Sequence, residues 1–213
     1  MASSEGDPPT NILDHIVYLA APEKLQDTIE EWRKQGYTVI PGGTHADGLT
    51  ENALVALKDG IYIELISFVH SIEHYPPGSP SRIARENHTW AKKLPNGYID
   101  YAFLGNNGWP SIAESINRRA EERKEGSAGR EVRYEKESKG GRTRLDGVKL
   151  EWVISARKAF GEGKEDVIGR LPFFCGDVTP RELRVRDTST YRARRCIIDS
   201  EPAWFRCRTN QTK

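Results

Sequence analysis

Between Asn11 and Phe68 the hydrophobic period of the chain switches from two to about 3.6 and back, and few folds tolerate that switching. Ile12 to Leu19 is β-branched and aliphatic and too short for a helix, so a strand is expected. Pro22 suits a first helical turn, and Leu25, Ile29 and Trp32 then recur on one face while Glu30, Glu31, Arg33 and Lys34 stay in water. Gly36 is the expected stop. Tyr37 to Ile40 reads as a short strand halted by Pro41-Gly42-Gly43, and Asn52 to Leu57 as another. The hairpin signal Asp59-Gly60 joins the latter to a strand over Ile61 to Phe68. Residues 11–68 therefore form one βαβββ unit.

Two residues break its apolar pattern. His15 shares a strand face with Leu13, Val17 and Leu19, and Glu64 lies inside Tyr62-Ile63-Glu64-Leu65-Ile66. A carboxylate in such a run must be paired, protonated or bound to a cation, because burying it bare costs several kcal/mol.

The pattern Leu13-Asp14-His15-Ile16-Val17, Pro41-Gly42-Gly43-Thr44-His45, Asn52-Ala53-Leu54-Val55 and Asp59-Gly60-Ile61-Tyr62-Ile63-Glu64-Leu65-Ile66 resembles the glyoxalase-like domain family of the vicinal oxygen chelate superfamily. The resemblance covers roughly residues 11–186. It implies an α+β fold in which paired βαβββ modules form a curved, mostly antiparallel mixed sheet around a concave site. It also implies one divalent metal, zinc, nickel, manganese or iron, with His15 and Glu64 as ligands on neighbouring first and fourth strands. The alternative is that His15 and Glu64 only hydrogen-bond each other.

Further pocket candidates are His45, Asn52, Tyr62 and Tyr101. His45 follows glycines that let backbone approach a ligand, or it caps a turn. Asn52 can orient a carbonyl or hydroxyl, or close the turn ahead of its strand. Tyr62 and Tyr101 line the cavity or fill core.

Residues 69–97 lose periodicity, and Tyr75-Pro76-Pro77-Gly78-Ser79-Pro80 excludes regular structure, so a connector or lid is expected. His70 and His74 have helical metal-pair spacing that the following prolines argue against. His88 beside Trp90 reads as an anchor for the connector. A second module is expected over 98–186: a strand from Tyr98 to Leu104, a helix after Trp109-Pro110 with Ile112, Ile116 and Ala120, and strands over Glu131–Tyr134, Arg144–Ala156 and Leu171–Cys175. Matching the two halves puts Tyr101 where the family often has a His or Gln ligand, and no glutamate falls on the last strand. The second module is thus diverged or incomplete.

Residues 1–10 and 187–213 read as poorly ordered tails. Arg181, Arg184, Arg186, Arg192, Arg194 and Arg195 make the end locally basic, a solvated stretch or a polyanion contact. The formal net charge of +1 gives no field to attract nucleic acid. No apolar run is long enough to span a membrane, and the first residues carry no secretory pattern, so a cytoplasmic protein is expected. Cys175, Cys196 and Cys207 show no CxxC spacing and are expected as reduced thiols.

The expected function is that of a glyoxalase-like protein, a metal-dependent lyase, isomerase or oxygenase acting on a small vicinal-oxygen metabolite. The alternative is a non-catalytic small-molecule binding or sequestering protein of the same fold. A homodimer is the further expectation if a short second half leaves a sheet for a partner copy to cover.

Overall fold

In a computed structural model the protein is described over residues 10–57, 59–124, 126, 131–158 and 167–185. Eight strands close into a barrel in the order β1-β4-β3-β2-β6-β7-β8-β5. They are β1 (Leu13–Leu19), β2 (Val39–His45), β3 (Thr50–Ala56), β4 (Tyr62–Phe68), β5 (Gly97–Leu104), β6 (Ser138–Arg144), β7 (Lys149–Ser155) and β8 (Phe173–Asp177). β1 pairs β4 and β5 pairs β8 in parallel, and every other seam is antiparallel.

Among the described residues the helices are α1 (Leu25–Lys34), α2 (Pro80–Asn87), α3 (Ile112–Glu121) and the short α4 (Arg181–Arg184). α1 starts three residues after Pro22 and ends at Gly36, whose φ of 96° needs a residue without Cβ. Leu25 and Ile29 bury against Val39, Ala53, Val55 and Leu65 on the outside of the barrel. Each such aliphatic side chain contributes about 1.5–3 kcal/mol by leaving water. α3 covers the other half with Ile112 and Ala113 against Tyr134 and Phe174. Val17, Leu19, Ile66, Phe68, Ala102 and Leu150 fill one end of the interior.

Three strand expectations are corrected. β2 does not halt at Pro41-Gly42-Gly43 but runs on to His45, because Gly42 is accommodated where the pairing with β3 slips between Pro41 and Gly43. That extension makes the seam with β6, where His45 opposes Arg142. Glu131 to Tyr134 is not a strand: only Tyr134 bridges, to Arg157. The strand is instead Ser138–Arg144, whose Gly140-Gly141 pair is unfavourable to a strand by local propensity. Both glycines are needed there, since a Cβ on Gly140 would lie 2.3 Å from Trp152 Nε1 and one on Gly141 2.7 Å from the Leu150 carbonyl oxygen. Arg144 therefore ends one strand, and the next begins at Lys149 after the turn at Asp146-Gly147.

The connector is also more regular than expected. Ser79 caps α2 by accepting from Arg82 N, and Pro80 opens the helix. The expected tails, including Cys196, Cys207 and the arginines from Arg186 onward, lie outside the described residues except for Thr10. No described helix is long and apolar enough to cross a membrane.

Candidate functional site

A cavity of about 400 Å³ opens inside the barrel. β1 supplies His15, β2 His45, β3 Asn52 and β4 Tyr62 and Glu64, all of them on its wall. His15 is buried, its Nδ1 lies 2.7 Å from Asp14 Oδ2, and its ring stacks on Tyr62 with centroids 4.7 Å apart. Asp14 keeps Nδ1 protonated, so the lone pair on Nε2 faces Glu64 Oε2 at 3.6 Å. His45 Nε2 lies 3.6 Å from the other oxygen, Oε1.

Asn52 ties this group together. Its Nδ2 donates to Glu64 Oε1 at 2.5 Å and to His45 Nε2 at 3.3 Å, while its Oδ1 accepts from Gly43 N at 3.2 Å and Arg142 Nη1 at 2.9 Å. With Nε2 accepting, His45 carries its proton on Nδ1 and donates to Thr50 Oγ1 at 2.6 Å. Burial pulls the His45 pKa down against the attraction of Glu64, so the ring is neutral near pH 7. Burial alone would raise the Glu64 pKa. Interactions with His15, His45, Asn52 and Arg142 outweigh it and hold the carboxyl below its ordinary value. The isolated carboxylate of the sequence is thus ionised and accepts from the Asn52 amide.

Tyr62 is buried against Arg184, whose Nη1 donates to its hydroxyl at 2.6 Å. Burial pushes the phenol pKa well up and keeps it neutral. Tyr101 is corrected: it does not line the cavity, and its hydroxyl instead donates to the Arg170 carbonyl on the outside. His70 and His74 also lie away from the cavity, their rings stacked at 3.7 Å with Glu23 3.6 Å from His70. His88 does reach the wall, packing edge-on to Phe68.

The strand register tests the implied metal. His15 is level with Tyr62 on β4, and Glu64 lies two residues beyond. On the other side His15 is level with Ala102, Ala102 with Phe173 on β8, and Cys175 lies two residues beyond. Ala102 and Cys175 therefore take the places that correspond to His15 and Glu64. A methyl group donates no lone pair. Burial pushes the Cys175 thiol up to about 12, and Arg184 Nη1 stands 3.5 Å from its sulfur. Among the described residues no three His, Cys, Asp or Glu side chains are placed to hold a metal ion. The donor set supplies two of the implied ligands and does not fit the complete shell.

Sequence reasoning missed the basic side of the cavity. Arg142 and Arg184 are each about 5% exposed, and Arg157 pairs with Asp100 Oδ2 at 2.5 Å. Arg142 was hidden by the misplaced strand, although Asp146-Gly147 carries the same hairpin signal as Asp59-Gly60. Arg184 was grouped with a solvated basic end, yet it binds Asp14 and Asp177.

A family model described as a glyoxalase-like domain matches residues 13–195. No curated protein matches. Among solved structures, a hypothetical protein from Staphylococcus aureus is similar at 15% identity and a TM-score of 0.53, over 84% of this chain and 64% of that one. The chain thus spans less than two thirds of that protein's length, and the likeness is one of fold.

Proposed function

We propose, from the premise that the chain belongs to the glyoxalase-like domain family, that it binds a small oxygenated metabolite inside the barrel. The order of one strand, one helix and three strands occurs twice, as β1-α1-β2-β3-β4 and β5-α3-β6-β7-β8, and we read the halves as paired βαβββ modules around the site. The observation that carries the reading is the convergence of His15, His45, Asn52, Tyr62 and Glu64 on one cavity. Glu64 accepts from a ligand hydroxyl, and His15 Nε2 offers a second acceptor 3.6 Å from it. Vicinal hydroxyl groups can donate one proton to each. Binding rather than metal-dependent turnover is favoured by Ala102 and Cys175, where further ligands would be needed.

The barrel is closed, so among the described strands no open edge calls for a second copy to cover it.

Elemental analysis of the purified protein, before and after reloading with divalent metals, tests the reading beside His15→Ala and Glu64→Gln. Ligand-observed NMR with small diols, hydroxyketones and aromatic fragments, repeated on Ala156→Trp at the cavity wall, tests binding. Fragment signals lost on plugging the cavity, with metal well below one per chain, are expected. One tightly held metal per chain that both single substitutions remove would overturn the metal-free reading and install the metal-dependent lyase or isomerase in its place.

A further inference from the structure

Among the described residues three buried guanidinium groups face the cavity, and two of them already have carboxylates. Arg184 Nη1 reaches Asp14 at 3.0 Å and its Nε reaches Asp177 at 2.5 Å; Arg157 holds Asp100. Arg142 differs. Its Nη1 donates to the Asn52 amide oxygen and its Nη2 to the Arg184 carbonyl at 3.2 Å, both neutral acceptors. Its Nε is buried without a partner, and among the described residues no carboxylate forms an ion pair with it. Glu64 acts on it through the intervening amide of Asn52.

A guanidinium carries five N–H donors in a planar fork, and planar carboxylates satisfy that fork better than any neutral group. Burying the cation without such a partner is unfavourable, and burial correspondingly lowers the Arg142 pKa. An acceptor that a ligand brings to the remaining Nη protons offsets that cost. Lys139 adds a positive charge on the wall, while Glu64, Asp100 and Asp47 oppose an anion elsewhere on it. Another part of the wall is apolar and aromatic. Trp90, Trp152 and Phe173 line it, and Gly140 lets the Trp152 ring pack against β6.

We propose that the ligand of this cavity is a carboxylic acid with an apolar, ring-sized body, its carboxylate received by Arg142 and its body by Trp152, Phe173 and Trp90. This rests on the reading of the barrel interior as a small-molecule site. It adds the charge and shape of what enters.

Calorimetry of the full chain in the presence of a chelator, with 2-naphthoate and its neutral isostere 2-naphthamide, tests it. The acid is expected to bind at least about tenfold more tightly than the amide. Arg142→Gln should remove the acid's advantage over the amide, and Arg142→Lys should restore part of it. The acid–amide comparison on the unaltered protein needs no variant to fold. Equal affinities would overturn the carboxylate assignment and leave the small-molecule site standing. Acid binding that survives Arg142→Gln, or that appears only after a divalent metal is added, would overturn it as well. Binding of neither probe would remove both readings.

Discussion

Arg184 Nη1 donates to Asp14 Oδ2 at 3.0 Å, joining the last described helix to the first strand across 170 residues. Asp14 in turn accepts from His15 Nδ1, so α4 fixes the orientation of a cavity residue through one carboxylate. Removing Arg184 leaves Asp14 with the His15 hydrogen bond and with Arg181, whose side chain is about a third exposed. Arg184→Met is therefore expected to destabilise the protein by about 3 kcal/mol, the lower end of what breaking a buried pair costs. A urea midpoint unchanged from the parent protein would refute this.

Acid should unfold the protein through the same carboxylate. Burial by itself would raise the Asp14 pKa, but the His15 hydrogen bond and the charges of Arg184 and Arg181 hold it far below the ordinary value of 3.8. A depressed folded pKa means that the unfolded state binds the proton first as pH falls. The stabilisation is present in full above the unfolded value and is lost on acidification through the folded one. Glu64 works in the same direction. Thermal midpoints should fall steadily below about pH 4, the unfolded carboxylate range, and less steeply in Asp14→Asn. Parallel curves for the two proteins would exclude Asp14 as a source of the slope.

The first half of the fold was legible because its strands alternate or run apolar and its turns carry Asp-Gly or Gly. β6 was not legible, since Gly140 and Gly141 stand in the strand to admit Trp152 and the Leu150 backbone, and nothing local announces that packing. Glu64 was visible as a charge in an apolar run. Its stabilisers were partly visible: His15, His45 and Asn52 lie in the same half, whereas Arg142 comes from 90 residues beyond Asn52. Tyr101 failed because matching the halves by sequence set it beside His15, while the antiparallel pairing puts Ala102 there.

Gly42 offers a test of how Asn52 is held. A Cβ at position 42 would sit 2.0 Å from Asn52 Oδ1 and 2.4 Å from the Asn52 carbonyl oxygen, so the backbone itself must move. Gly42→Ala should cost about 1–3 kcal/mol, as overpacking does, and release Asn52 from Glu64. Amide signals of Asn52 and its neighbours in NMR spectra would report the change; unshifted signals with parental stability would show that the strand yields freely.

Cys175 gives the last prediction. Burial pushes its thiol from 9.0 up to about 12, with the Arg184 charge opposing. In a Cys196→Ser, Cys207→Ser background it should resist alkylating reagents at pH 8 until denaturant is added, because the thiolate is the reactive form. The linkage has the opposite sign to that of Asp14. The unfolded thiol loses its proton first as pH rises, so the stabilisation is complete below pH 9 and declines towards pH 12. Relative to Cys175→Ala, the parent protein should lose about 1.4 kcal/mol per pH unit across that window. A constant difference between the two proteins, or rapid alkylation of the native thiol, would show that Cys175 meets solvent on the cavity wall.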